Sequence, residues 1–315
     1  MKLKHEVLRA PGSEATSAVV MLHGILGSGS NLRGLARSFL SSPEGAGRCV
    51  VLMDLRAHGG SLDGPGNADT VKHAADDVVE TLGTLPVTPY AVVGHSFGGK
   101  VALALEGLPL SHVMTLDSAP GPRTDARGSE KTMAVLEQVR ALALPLPAQA
   151  GSGAGVRGPT EDSSPSPGAA RHPLPAVQGE GVWSSRDAFI DELVRGGQTR
   201  PLAQWLAMNL ERTDAGFRFK LDLTRIDALL GDYLHLDLWP VVERASHVVG
   251  PGPRLHLVIA LQSKVYEHDD RVRAQSLESE SVAGAPGVTV DLLEGSHWIH
   301  TDNPTGVVEV MRARL

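Results

Sequence analysis

Short apolar runs rich in Val, Leu and Met recur along the chain, alternating with stretches whose apolar residues repeat every three or four positions. The first pattern marks buried strands and the second amphipathic helices; their alternation predicts a parallel α/β sheet with helices on both faces. Strands are expected at residues 2–9, 18–23, 48–55, 90–94, 112–117, 254–261 and 288–293, and helices at 31–40, 68–82, 97–106 and 304–315. Asn303 and Pro304 suit the N-cap and first position of the last helix, where the missing proline N–H costs nothing.

The alternation stops after Asp117 and resumes near Arg254, so residues 121–250 read as an insertion between two parts of one core, 1–120 and 251–315. Helical spacing at 129–144, 185–194, 201–209 and 222–234 predicts a mostly helical cap. Residues 145–181 shift to Pro, Gly, Ser and Ala, with too little apolar surface to offset the entropy of ordering, so a disordered stretch is expected there.

Composition narrows the function classes. With 315 residues, 42% of them hydrophobic, the chain can bury a large core. A net charge of -7 and the lack of any Lys/Arg cluster argue against binding a nucleic-acid backbone. No apolar run approaches the roughly 20 residues that cross a bilayer. The single cysteine, Cys49, lies in an apolar run; it excludes an internal disulfide framework and reads as a small buried hydrophobe. Lys2 and Lys4 are followed by no apolar stretch of the secretory kind, so an intracellular, cytoplasmic location is expected.

The candidate chemistry sits at strand ends. Gly94-His95-Ser96-Phe97-Gly98 fits G-x-S-x-G, a sharp strand-to-helix turn that raises a serine hydroxyl above the sheet. Its setting agrees, with the apolar strand 90–94 before it and a helical run after it. His23-Gly24-Ile25-Leu26-Gly27 follows another strand, and such a loop can aim the N–H of Ile25 or Leu26, together with that of Phe97, at a carbonyl oxygen. No phosphate-loop or dinucleotide motif competes with this. Near the C-terminus, His297 in Glu294-Gly295-Ser296-His297-Trp298 follows the last strand and can serve Ser96 as general base, with His300 its rival by proximity. His23, His95 and Trp298 border these motifs and are candidate substrate contacts, although His23, His58 and His95 also suit structural hydrogen bonds within their turns. The adjacent His268, Asp269 and Asp270 suggest a solvated turn more than a metal site, and no metal or cofactor is expected.

The segments MLHGILGSGSNLRGLARSF, VLMDLRAHGGS, AVVGHSFGGKVALALE, VMTLDSAP and LLEGSHWIHTDNP, in this order, resemble α/β-hydrolases of the abhydrolase domain-containing protein 11 type and related bacterial esterases. The resemblance covers about two thirds of the chain. It implies an open sheet with a helical cap, hydrolysis of esters or thioesters, Ser96 as nucleophile and His297 as base, and it makes a mitochondrial or plastid location conceivable. Gly60 departs from the family, which has Asp at that point of its R-x-H-G-D-S run, and residues 145–181 are not a family feature. For the acid that orients His297, two strand ends offer carboxylates: Asp117 directly at one, and Glu267, Asp269 and Asp270 several residues beyond the other. Asp117 is favoured, because the resembling esterases place an acid there.

A serine hydrolase acting on a small acyl ester or thioester is thus expected. Two other uses of the fold remain open, a small-molecule receptor and a non-hydrolytic lyase or haloperoxidase-type enzyme. Epoxide hydrolases and dehalogenases would need Asp in place of Ser96.

Overall fold

Ten strands are defined in the computed structural model, which describes residues 1–64, 69–123, 126–143 and 181–315. They are β1 (His5–Arg9), β2 (Ser17–Leu22), β3 (Cys49–Met53), β4 (Thr88–His95), β5 (His112–Leu116), β6 (Val182–Trp183), β7 (Leu210–Thr213), β8 (Gly216–Phe219), β9 (Arg254–Ala260) and β10 (Val288–Leu293). Two compact units result, one of Met1–Met133 with Leu221–Leu315 and one of Ala134–Lys220.

The first unit holds a seven-stranded sheet in the order β1-β3-β2-β4-β5-β9-β10. Every neighbouring pair is parallel except β1 and β3, which run antiparallel at one edge. Central parallel strands are covered on both faces, which is why they read as unbroken apolar runs: Ala18–Leu22 of β2 and all of β3 are buried. On one face, alternate residues of neighbouring strands (Val19 and Met21, Val50 and Leu52, Ala91 and Val93) join Leu35, Ala36 and Phe39 of the helix Arg33–Leu40 and Val307 and Met311 of the helix Pro304–Arg314. Truncating a fully buried aromatic such as Phe39 to Ala would cost about 3 to 5 kcal/mol. Elsewhere the helix Val71–Leu82 buries Val71, Ala74, Ala75, Val78 and Leu82, the spacing of a single helical stripe, and packs on the helix Phe97–Leu103.

All seven core strands expected from the sequence are present, with their ends moved by a few residues. Among the helices of this unit that went unforeseen, the longest are Trp239–His247 and His268–Ser279. The latter buries only Ala274 and Leu277, too narrow a stripe to show as periodicity.

The second unit adds a small sheet to the mostly helical expectation. It contains the helices Arg186–Arg195 and Arg200–Leu206 and a three-stranded sheet in the order β6-β8-β7. Strands of two to four residues, carrying the charged side chains of Glu211, Arg212 and Arg218, are too short to display alternation. Its core joins Trp183, Phe189, Ile190, Leu193, Leu206 and Phe219, with the Trp183 and Phe189 rings meeting edge to face at 4.7 Å. The compact unit, 134–220, is narrower than the 121–250 insertion read from the sequence. The stretch expected to be disordered, 145–181, lies outside the described residues except for Gly181.

Candidate active site

Strand β4 ends at His95, Ser96 turns the chain, and a helix begins at Phe97. The turn forces Ser96 to φ 51°, ψ -116°, a conformation that costs a non-glycine residue on the order of 1 to 3 kcal/mol. The arms of the turn pass so closely that a Cβ on Gly94 would lie 2.1 Å from the Gly98 carbonyl oxygen, which explains the motif's first glycine. The Ser96 N–H donates to the Leu116 carbonyl at 3.1 Å, tying the elbow to the end of β5.

Strand β5 then delivers Asp117, fully buried and itself at positive φ, 47°. Its Oδ1 accepts the N–H of Ala260 at 3.2 Å, and its Oδ2 accepts Nδ1–H of His297 at 2.7 Å. Across the imidazole, Nε2 of His297 receives the Ser96 hydroxyl at 2.9 Å. Three side chains from three strand ends thus form one continuous hydrogen-bonded line. His297 is held from behind as well, because Nε2–H of His95 donates to the His297 carbonyl oxygen at 2.8 Å. The loop carrying it is pinned by Asp302, which accepts the Ser296 N–H at 2.9 Å.

Ile25, Leu26 and Phe97 were the candidate donors to a carbonyl oxygen, and they do not behave alike. The Leu26 N–H donates to Nε2 of His58 at 2.9 Å, so it is taken, and Leu26 is corrected from donor to brace. The N–H groups of Ile25 and Phe97 have no protein acceptor among the described residues.

His23 and His58 form a reciprocal brace between two loops. Nδ1 of His23 donates to the Gly24 carbonyl and its Nε2 accepts the Leu55 N–H at 2.9 Å. His58 uses Nδ1 on the Arg56 carbonyl at 2.8 Å and Nε2 on Leu26. The rings meet edge to face at 5.1 Å. Burial lowers His23 to about 4 and His58 to about 3, so both are neutral acceptors at working pH. With both ring nitrogens engaged, His23 is corrected from substrate contact to brace. His95 is likewise buried and spends Nε2 on the backbone of His297. The loop after β2 runs directly over it: a Cβ on Gly24 would stand 2.9 Å from His95 Nδ1.

Trp298 is partly buried, its ring 6.0 Å from that of His297. Asp269 and Asp270 lie in the first turn of the helix His268–Ser279, where Asp270 caps the Glu267 N–H at 3.1 Å and faces Arg123 at 3.7 Å. Neither meets His297, so the alternative acids are not in the line. At the departure from the family, the Gly60 N–H donates to Asp54 Oδ2 at 2.8 Å, and a side chain there would meet Lys4 Cγ at 2.9 Å. Among the described residues, no three His, Cys, Asp or Glu side chains gather to hold a metal ion, and no helix is long and apolar enough to cross a membrane.

Two residues at the site were missed. Lys100, buried in the helix after the elbow, donates to three carbonyls: Gly121 at 2.8 Å and Tyr233 and Leu236 at 2.7 Å. A lysine inside the otherwise apolar run Val101–Leu103 and Phe97 was the available signal. Tyr233, in the helix Leu223–His235, is buried with its ring centroid 6.1 Å from that of Phe97, the residue after the elbow.

Chemically, a serine hydroxyl that donates to an imidazole, itself oriented by a buried carboxylate, can pass its proton to that imidazole while attacking a carbonyl carbon. Residues 19–310 match the alpha/beta hydrolase family. The sn-1-specific diacylglycerol lipase ABHD11 of Xenopus laevis is 25% identical over 299 residues, 92% of this chain and 77% of the relative. The esterase YbfF of Escherichia coli (strain K12) is 31% identical over 123 residues, 38% of this chain and 46% of the relative. Among solved structures, a marine microorganism esterase superposes with a TM-score of 0.70 at 18% identity, covering 100% of this chain and 99% of its own. At that identity the likeness concerns the fold, and it agrees with the mostly parallel sheet expected from the sequence. The family match spans nearly the whole sheet, from the first buried residues of β2 to the last helix, and on it the chain belongs to the alpha/beta hydrolase family.

Proposed function

We propose that this chain is a serine hydrolase of the carboxylic ester class, cleaving ester or thioester bonds through an acyl-enzyme on Ser96. The observation that carries the reading is the unbroken line from Asp117 Oδ2 to His297 Nδ1 and from His297 Nε2 to Ser96 Oγ, at 2.7 and 2.9 Å.

In this mechanism Ser96 Oγ attacks the acyl carbon while its proton moves to His297 Nε2. The negative charge that develops on the carbonyl oxygen is met by the N–H groups of Phe97 and Ile25; losing one such donor typically costs about 2.7 to 4 kcal/mol in the transition state. His297 then protonates the leaving alcohol or thiol, and Asp117 stabilises the imidazolium in between without taking its proton. Water, deprotonated by His297, releases the acid in the second half. Trp298, beside the base, is the remaining candidate for a substrate contact.

The esterase and lipase relatives support the same class. The relative from Xenopus laevis is, by its name, specific for the sn-1 position of diacylglycerol, so acylglycerols belong in the first substrate set. The test is labelling by a fluorophosphonate together with turnover of p-nitrophenyl esters and acyl thioesters of graded chain length. Labelling confined to Ser96 and turnover abolished by Ser96→Ala support the reading. A protein that binds such esters tightly with no covalent step is a receptor on this fold.

A further inference from the structure

We infer that His23 and His58 are positioning residues of the oxyanion hole: each imidazole fixes one of the two peptide planes that flank Ile25, and together they aim the Ile25 N–H at the substrate carbonyl oxygen. This rests on the proposed acyl-enzyme reading, in which Ile25 and Phe97 are the donors. The loop after β2 closes in a turn, the Gly27 N–H donating to the Gly24 carbonyl at 3.0 Å. Leu26, at the third position, has φ 62°, while Ile25, at the second, is not at positive φ, so the turn is of type II. That type suits Gly or Asn at its third position. Ile-Leu alone favours type I, which differs by a half-turn of the Ile25–Leu26 peptide. His58 holds the strained form, because its Nε2 accepts the N–H of that same peptide, at Leu26, at 2.9 Å.

The His58 ring is fixed from its other side by a second turn of the same kind. Its backbone N–H donates to the Leu55 carbonyl at 3.0 Å, and Ala57, at the third position, has φ 61°. The central peptide of this turn joins Arg56 to Ala57, and its carbonyl accepts Nδ1–H of His58 at 2.8 Å. One imidazole thus ties the central peptides of two strained turns to each other. The same bonds set its tautomer, with the proton on Nδ1 and the lone pair on Nε2.

His23 acts on the preceding peptide, whose N–H is the donor itself. The Gly24 carbonyl accepts Nδ1–H of His23 at 2.7 Å as well as the Gly27 N–H. In a trans peptide the N–H points away from the carbonyl, so gripping this oxygen aims the Ile25 N–H to the opposite side. Two donors on the oxygen also polarise the amide and strengthen its N–H as a donor. Nε2 of His23 accepts the Leu55 N–H at 2.9 Å, anchoring this ring to the second turn. Both rings are buried, so water does not compete for these bonds. An oxyanion forms in acylation and again in deacylation, so loss of aim slows both halves alike. Substrate in its ground state gains little from the hole, so kcat falls while KM holds.

Steady-state hydrolysis of p-nitrophenyl esters by four variants of the full chain tests the assignment. The amide of an Asn side chain stands near the place of Nδ1, and that of Gln near the place of Nε2. His23→Asn keeps the donor to Gly24, and His58→Gln keeps the acceptor for Leu26; both should stay within about threefold of the unsubstituted kcat. His23→Gln and His58→Asn lose those bonds and should lower kcat about 10- to 100-fold, with KM and the pH of half-maximal kcat unmoved. A brace that merely ties the two loops through Leu55 predicts the reverse order at His23. Equal effects of Asn and Gln at either position, or the reverse order, overturn the assignment of that histidine while leaving the hydrolase reading intact. Nitrogen-15 NMR of the histidine rings in the unsubstituted protein gives a second test that no folding failure can spoil. Nδ1–H tautomers are expected for both, and an Nε2–H tautomer of either ring overturns its role. An unsubstituted protein that neither turns over esters nor labels at Ser96 with a fluorophosphonate overturns the hydrolase reading itself.

Discussion

His95 Nε2 donates to the carbonyl oxygen of His297 at 2.8 Å, so the residue immediately before Ser96 holds the backbone of His297. Ser96 and His297 come from segments about 200 positions apart in the chain, and this bond sets their spacing independently of the one between their side chains. It accounts for a histidine inside the G-x-S-x-G turn without giving it a role in binding substrate.

His95→Phe keeps an aromatic ring and removes the donor. Misplacement of a catalytic group by an ångström can cost about a hundredfold, so kcat on p-nitrophenyl esters should fall about 10- to 100-fold with KM nearly constant. Fluorophosphonate labelling of Ser96 should slow by the same factor, since it also needs the base. A fall in KM-linked binding alone would assign His95 to the substrate pocket.

Asp117→Asn preserves shape but offers an N–H to Nδ1 of His297, favouring the wrong tautomer. A loss of about 10³ to 10⁴ in kcat is expected. Asp269→Asn and Asp270→Asn should stay within about tenfold, because their carboxylates lie in the first turn of the helix His268–Ser279. Steady-state kinetics of the three variants under one condition compares them directly.

Acid should unfold the protein through its buried histidines. Burial holds His23 and His300 at about 4, His58 and His256 at about 3, all below the ordinary 6.5. As pH falls through 6.5 the unfolded chain takes up protons that the folded chain refuses. The stability held at neutral pH is therefore lost progressively down to pH 4, on the order of 2 kcal/mol per histidine at pH 5. Tm should drop steeply across that window. His58→Gln, which keeps an acceptor for Leu26 but does not titrate, should flatten the drop, and an unchanged slope would remove His58 from the account.

Lys100→Met leaves three buried carbonyls without their donor. Each unpaired group costs roughly 1 to 3 kcal/mol before any relaxation, so a loss of about 3 kcal/mol or more in urea unfolding is expected. A loss under about 1 kcal/mol would mean that water replaces the ammonium.

The sheet was legible because strands covered on both faces leave unbroken Val and Leu runs, as in Cys49–Met53, and because each is followed by a helix of different period. Ser96, His297 and Asp117 were legible for a related reason: they stand at strand ends beside small residues that make the turns. The fate of Leu26 was hidden, since the acceptor of its N–H is His58, brought there only by the pairing of β2 with β3. Tyr233 was hidden in the same way, as one aromatic position on a helix far from the motif in sequence. The hairpin of β7 and β8 escaped because two four-residue strands with charged alternates carry no readable period.

The central claim is that Ser96 becomes acylated. Intact-protein mass spectrometry after mixing with p-nitrophenyl acetate and quenching in acid tests it most directly. The account predicts one added acetyl group, mapped to the peptide containing Ser96, absent in Ser96→Ala and strongly reduced in His297→Ala. Turnover that persists in Ser96→Ala, or an acetyl group mapped to another residue while Ser96 stays unmodified, contradicts it.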